Sequence, residues 1–155
     1  MDKEEFNKLR KQEENGIKLS KENEEQLIPY RVDNAIIMAA GYSARCMPLS
    51  NVMPKGLFKI KGEILIEREI EQLMEAGISE IIVITGFMSD KFEYLRKKYG
   101  VILVYNKDYD KYNNMSSLYA AREYMKNSYI LCSDNYYEEN VFHKYVFTPY
   151  YSCIY

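Results

Sequence analysis

The chain has no tryptophan, one histidine and three cysteines among its 155 residues. Cys46, Cys132 and Cys153 are odd in number and show no CxxC spacing, so neither a disulfide framework nor a zinc site is indicated. The lone His143 reads as a surface or hydrogen-bonded residue, not a catalyst. No apolar run approaches the roughly 18 residues needed to span a bilayer. The opening "MDKEEFNKLRKQEENG" is charged from its second residue and has no signal-peptide core, so a cytoplasmic location is expected. Net charge is also scarce. Lys and Arg number 21 against 23 Asp and Glu, and a formal charge of −2 argues against bulk attraction to nucleic acid or to an anionic membrane. Neither is expected as a partner. Internal repeats and low-complexity segments are absent.

What is present suits one folded domain. Hydrophobic residues make up 47% and charged residues 28%, and a chain of this length buries roughly two thirds of its unfolded surface. Tyrosine stands out, with 16 residues, many of them between Tyr105 and Tyr155. Most read as strand-packing aromatics. Tyr136, Tyr137, Tyr150 and Tyr151 are the set that could cage a quaternary ammonium, which aromatic faces attract by about 0.5–2 kcal/mol per contact.

Hydrophobic periodicity separates a charged helical lead segment, residues 1–30, from a domain over 31–155. In the lead, Phe6, Leu9, Ile17, Leu19, Leu27 and Ile28 are too sparse for a full core-facing stripe, and Pro29 ends helix formation. Beyond it "NAIIMAA" is a continuous apolar run, as in a buried parallel strand. "GLFKI" is a second strand candidate, ending in a Lys61-Gly62 turn. "EILIEREIEQLMEAG" places Ile66, Ile70, Leu73 and Met74 on one helical face, with Gly77 closing it. "EIIVITG" is the next strand. "SDKFEYLRKKYG" predicts a helix with Asp90 and Glu93 in capping-box spacing and Gly100 at its end. "VILVY" is a strand, "SSLYAAREYM" a helix starting at Ser116 or Ser117, and "SYILCS" a strand delivering Asp134 at its C-terminal edge.

Strands alternating with helices in this way predict an α/β fold: a Rossmann-like, mostly parallel sheet with helices on both faces. Ligands of such sheets bind beyond the carboxyl ends of the strands. Three breaks fall there: "AAGYSAR", "TGF" and "SDN". In the stretch "MAAGYSARCMPLSNVMPKGL", Ala39, Ala40 and Gly41 allow backbone N–H groups to approach phosphates closely. Arg45 offers a planar fork of donors and Lys55 a compact charge for a reacting phosphorus. Neither GxxxxGK[ST] nor GxGxxG is present. On spacing alone, a βα turn with two solvated cations fits as well.

The same stretch resembles the signature of the nucleotide-sugar pyrophosphorylase superfamily (the MobA-like NTP transferase domain): an AAG turn, an Arg four residues on, then P-L and P-K. With "PYRVDNAIIMAAG", "MPKGLFKIKGEILIEREIEQL", "YNKDYDKYNNMSSLYAA" and "CSDNYYEENVF" in that order, the chain is most similar to bacterial CTP:phosphocholine cytidylyltransferases, from about Pro29 to Tyr155. The resemblance implies the nucleotide-diphospho-sugar transferase fold, with CTP and phosphocholine as substrates and CDP-choline and pyrophosphate as products. It places the triphosphate on Ala39, Ala40, Gly41, Tyr42, Ser43, Ala44 and Arg45, with Lys55 on the α-phosphate and Asp134 holding Mg²⁺. Gly86 and the Asn113–Ser117 loop, with Asn114 and Ser116, fall near cytosine and ribose.

The chain also departs from that pattern. Ser43 replaces the second glycine of the broader superfamily, Ala44 stands where a hydroxyl residue is usual, and Cys46 and Met53 stand where an aromatic and a charged residue are expected. "YVFTPYYSCIY" reads as the start of a long strand cut short, so the fold is expected to be incomplete at its C-terminus, without the second metal carboxylate that the family carries. An unpaired strand there would expose an apolar edge and invite homo-oligomerisation. Two alternatives stay open: a non-catalytic nucleotide-binding remnant, and a sugar-1-phosphate nucleotidyltransferase.

Overall fold

The computed structural model of the chain describes residues 1–151. They fall into two compact units: Met1–Val32 with the residues from His143 onward, and Asp33–Phe142.

The first unit opens with helix α1 (Lys3–Glu14), capped by Asp2, whose side chain accepts from Glu5 N at 2.9 Å. Helix α2 (Lys21–Leu27) follows, capped by Ser20. Phe6, Leu9, Leu19 and Leu27 are buried together, and Tyr30, Tyr145 and Phe147 pack against them. The Tyr30 and Phe147 rings stack at 5.3 Å, with Phe6 5.1 Å from Tyr30. A stripe too sparse on its own is thus completed by aromatics from the other end of the chain, while Ile17 and Ile28 remain exposed.

The long strand expected from Tyr145 does not form among the described residues. Tyr145 makes a single antiparallel bridge to Arg31, flanked by bonds from Val32 N to Lys144 O and from Val146 N to Tyr30 O, both 2.8 Å. Pro149 removes a ladder donor, and Tyr145 and Phe147 cover the helices instead. Ser152, Cys153, Ile154 and Tyr155 lie outside the described residues. His143 Nδ1 lies 2.7 Å from Glu14 Oε1, so this histidine is a partnered side chain, as its isolation in the sequence suggested.

The second unit is built on strand β1 (Asn34–Met38). The "GLFKI" segment yields only β2 (Lys59–Ile60), which turns through Lys61 and Gly62, both left-handed, into β3 (Glu63–Ile64). This antiparallel hairpin stands apart from the main sheet. Then come α3 (Leu65–Glu75), β4 (Ile81–Thr85), α4 (Tyr94–Tyr99), β5 (Ile102–Tyr105), α5 (Asn114–Ala120) and β6 (Ser128–Cys132). Two helix starts differ from expectation. Asp90 makes no side-chain cap; Ser89–Phe92 form a tight 3-10 turn before α4. Helix α5 begins at Asn114 because the Asn113 side chain accepts from Met115 N at 3.1 Å.

Strands β5, β4, β1 and β6 lie in that order, all parallel. The chain moves outward from β1 to β4 to β5, then crosses back to β6. Right-handed crossovers therefore put α3 and α4 on one face and α5 on the other. Ile36, Ile82 and Ile84 pack with Ala121 just after α5, backed by Met38, Ile102, Val104 and Tyr124. The alternate strand residues Ala35, Ile37, Ile81 and Val83 are equally buried, which requires a second covered face. β6 is an edge strand, and Ile130 on it is 48% exposed.

Replacing Phe6 by Ala removes the centre of the first unit's cluster and is expected to cost about 3–5 kcal/mol there. Hydrogen exchange is the check: amides of α1 lose protection while those of β1 and β4 keep theirs.

Candidate active site

The strand order reverses direction between β1 and β6, and at such a point the carboxyl ends of neighbouring strands diverge and open a crevice. Three segments meet there. β1 runs out through buried Ala39 and Ala40 into the segment from Gly41 to Arg45, which is exposed except for half-buried Ser43. The Pro54–Leu57 turn returns to the same edge, and β6 leads into a turn at Ser133 and Asp134. Ser133 N donates to Met38 O at 3.2 Å. Gly56 lies so near Ser133 that a Cβ on it would stand 2.8 Å from Oγ and 2.9 Å from Cβ, so glycine is required for this approach.

Lys55 Nζ donates to Asp134 Oδ2, each side chain about one third exposed (36% and 33%). The hydrogen bond to Asp134 raises the Lys55 pKa above its usual 10.5, against the opposing effects of burial and of the Arg45 charge. Arg45 is exposed. Ser43 holds φ +53°, a left-handed conformation that costs a non-glycine residue roughly 1 kcal/mol. A Cβ on Gly41 would meet nothing within 4 Å, and its φ is not left-handed. The fold itself therefore does not need glycine at this position, and the space beside it is open.

Gly86 is different. A Cβ there would stand 2.5 Å from Tyr109 Cβ and 2.9 Å from Ala40 O. The next residue, Phe87, donates its N–H to Ala40 O at 3.0 Å, and its ring packs 4.5 Å from that of Tyr42. Gly86 thus serves the backbone of the Ala39–Arg45 loop directly. Ser116 and Ser117 both accept from Asn106 Nδ2, at 2.9 and 3.1 Å, and Asn106 N donates to Thr85 O at 2.8 Å. The start of α5 is thereby tied to the ends of β4 and β5, with Asn114 exposed beside it. The aromatic cage finds no support among these side chains. Arg68 and Lys61 lie over the Tyr136 ring at 4.8 and 5.4 Å, Tyr137 packs edge-on against Phe142 at 5.3 Å, and Tyr150 and Tyr151 belong to the other unit.

Residues 35–134 match the MobA-like NTP transferase domain, which covers this entire edge. The chain belongs to that family. It is 46% identical over 108 residues to a choline-phosphate cytidylyltransferase of Streptococcus pneumoniae, a match over 70% of this chain and 47% of that protein. It is 45% identical over 89 residues to a 2-aminoethylphosphonate cytidylyltransferase of Lancefieldella rimae, over 57% and 36%. The solved structure of the Streptococcus pneumoniae CTP:phosphocholine cytidylyltransferase superposes with a TM-score of 0.71 at 46% identity, over 74% of this chain and 50% of that one. The match spans about half the length of the choline-phosphate cytidylyltransferase and 36% of the 2-aminoethylphosphonate cytidylyltransferase. The four-stranded parallel sheet with its helices is accordingly the nucleotide-diphospho-sugar transferase fold, as the sequence predicts.

In this NTP transferase domain one buried group has no counterpart in the sequence reading. Glu69 of α3 is 1% exposed, and neither carboxyl oxygen has a hydrogen-bond partner among the described residues. α3 packs on the Lys55–Leu57 turn, and the Asp134 charge acts on Glu69. Burial, reinforced by Asp134, pushes its pKa well above the usual 4.5. Gly56, Asn106 and Ser133 were also missed. Asn106 alone left a trace, as a polar residue directly after an apolar strand. The other three depend on contacts between distant segments.

A carboxyl with a raised native pKa binds its proton more tightly when folded, so its effect on stability is most favourable below pH 4.5 and is lost as pH rises through the native pKa. Glu69→Gln is expected to be more stable than the parent at neutral pH, with an advantage that shrinks toward pH 4.5. Urea midpoints measured across that range check it.

Proposed function

We propose that the chain carries the nucleotide-binding site of a cytoplasmic CTP:phosphocholine cytidylyltransferase. The observation that carries this reading is the pairing of Lys55 with Asp134 at the point where the strand order reverses, the same point at which the Gly41–Arg45 loop leaves β1. The similarity to two cytidylyltransferases supports CTP as the donor.

The Ala39–Arg45 backbone and the Arg45 guanidinium would receive the triphosphate. Lys55 would exchange its contact with Asp134 for one with the α-phosphate. A phosphate oxygen of phosphocholine then attacks the α-phosphorus, the α–β bridging bond breaks in line, and pyrophosphate leaves with the negative charge. Lys55 and Arg45 meet that charge, and positioning does most of the remaining work. Asp134 suits Mg²⁺, which supplies charge neutralisation to the phosphates when bound. The described residues offer no group of three or more His, Cys, Asp or Glu placed for a metal, and Mg²⁺ is commonly held by one or two carboxylates with phosphates and water completing its shell. Self-association, if it occurs, would use the open edge of β6 at Ile130.

Phosphocholine is favoured over 2-aminoethylphosphonate by the longer stretch of similarity, 108 against 89 residues. Product from 2-aminoethylphosphonate or a sugar 1-phosphate alone overturns the choline assignment.

Calorimetric titration of CTP with Mg²⁺ tests the site. Lys55→Ala and Asp134→Ala are each expected to weaken binding by about tenfold or more, corresponding to at least about 1.4 kcal/mol. Well-folded parent protein that binds no CTP, or variants that bind as the parent does, overturns the reading. CTP binding without product under any acceptor supports the non-catalytic alternative. Gly41→Ala makes a sharper separation. Its melting point is unchanged or slightly higher, since replacing a compatible glycine stabilises by about 0.4–1 kcal/mol, while its CTP affinity falls because the methyl group enters the space beside the loop.

A further inference from the structure

β6 ends at Cys132, Asp134 follows in a turn, and residues 135–140 beyond it adopt no helix or strand. A carboxylate on irregular chain holds a cation well only if neighbouring groups fix it in place. The fixing group is identifiable. Arg68, in the first turns of α3, has a side chain only 19% exposed, and its guanidinium engages two other segments at once. Nε donates to Tyr137 O at 2.8 Å and Nη2 to Glu138 O at 2.7 Å. Nη1 donates to both Glu63 oxygens, at 2.9 and 2.8 Å. The guanidinium plane also covers the Tyr136 ring at 4.8 Å, while the Tyr136 hydroxyl reaches Glu63 at 3.3 Å.

Neighbouring contacts hold the same joint. Gln72 Nε2 donates to Tyr137 O at 3.1 Å, Asn140 Nδ2 donates to Gln72 O at 2.8 Å, and Lys61 pairs with Glu138. The chain after Asp134 is therefore fastened to α3, and α3 is also the helix on which the Lys55–Leu57 turn packs. One helix thus sets the positions of both Lys55 and Asp134.

We propose that Arg68 is a positioning residue for Asp134, holding its carboxylate where a divalent cation and the triphosphate meet. This rests on the reading of Asp134 as the cation-holding group. Lysine cannot replace the arrangement, because a single ammonium lacks the planar fork that reaches two carbonyls and a carboxylate together. Arg68 touches neither nucleotide nor acceptor; its effect passes through Asp134.

The test is CTP affinity measured with Mg²⁺ and again with EDTA, for the parent, Arg68→Lys, Asp134→Asn and the double variant. Arg68→Lys is expected to weaken binding about tenfold in Mg²⁺, the usual size for loss of a group that orients a metal ligand. It leaves the EDTA affinity unchanged and adds nothing once Asp134 is Asn. A purely structural arginine would lower both affinities together, or add to the Asp134 effect, and either result overturns the proposal. Asp134→Asn that loses the Mg²⁺ gain beside Arg68→Lys that keeps it overturns the positioning role alone. Asp134→Asn that keeps the gain, or a parent that binds no CTP, overturns the underlying reading as well. If Arg68→Lys does not fold, Glu63→Gln loosens the same guanidinium from an exposed carboxylate and is expected to give the same pattern at smaller size.

Discussion

The ion pair between Lys55 and Asp134 joins the turn before α3 to the end of β6, across the point where the strand order reverses. Its formation depends on features that otherwise look unrelated. The parallel register of β1 and β6 sets Asp134 at the sheet edge. The bare Cα of Gly56 lets the returning turn settle on Ser133. α3 supports that turn from beneath. The two charges satisfy one another, and each is presented by a different segment of the chain.

The sheet was legible because its strands are continuous apolar runs, a pattern that burial on both faces imposes. Ile36, Ile82 and Ile84 could be assigned to the core without knowing their neighbours. Local signals were also sufficient at Lys61-Gly62, Gly77 and Gly100, where the backbone enters the left-handed region. They failed where two local solutions compete. Asn113 and Ser116 are both good caps, and Asn113 prevails because Asn106 already engages the Ser116 and Ser117 hydroxyls. Phe147 looked like a strand residue because its neighbours are aromatic and β-branched, and only the sparse face of α1 explains its position over Phe6.

The candidate site divides in the same way. Arg45, Lys55 and Asp134 could be named beforehand because topology places strand ends together and the family signature orders those residues along the chain. Gly56, Ser133, Asn106 and Arg68 could not. Their roles consist in touching segments far away in sequence, and an arginine on an amphipathic helix reads as a solvated charge until the carbonyls of Tyr137 and Glu138 are seen to turn toward it. Tyr136 illustrates the converse. An aromatic face is a good cation receptor, but here two of the chain's own cations lie over it.

Charge balance gives the buried Glu69 a place in this arrangement. Ionisation of Glu69 would add a second negative charge to the field of Asp134. Burial without a hydrogen-bonding partner among the described residues favours the protonated form, and the Asp134 charge strengthens that preference. A glutamine at position 69 would achieve the same charge permanently. The acid differs in that its protonation is conditional, favoured by the burial of a helix that also packs on the Lys55–Leu57 turn, so the charge carried beside Asp134 depends on how tightly that helix is seated.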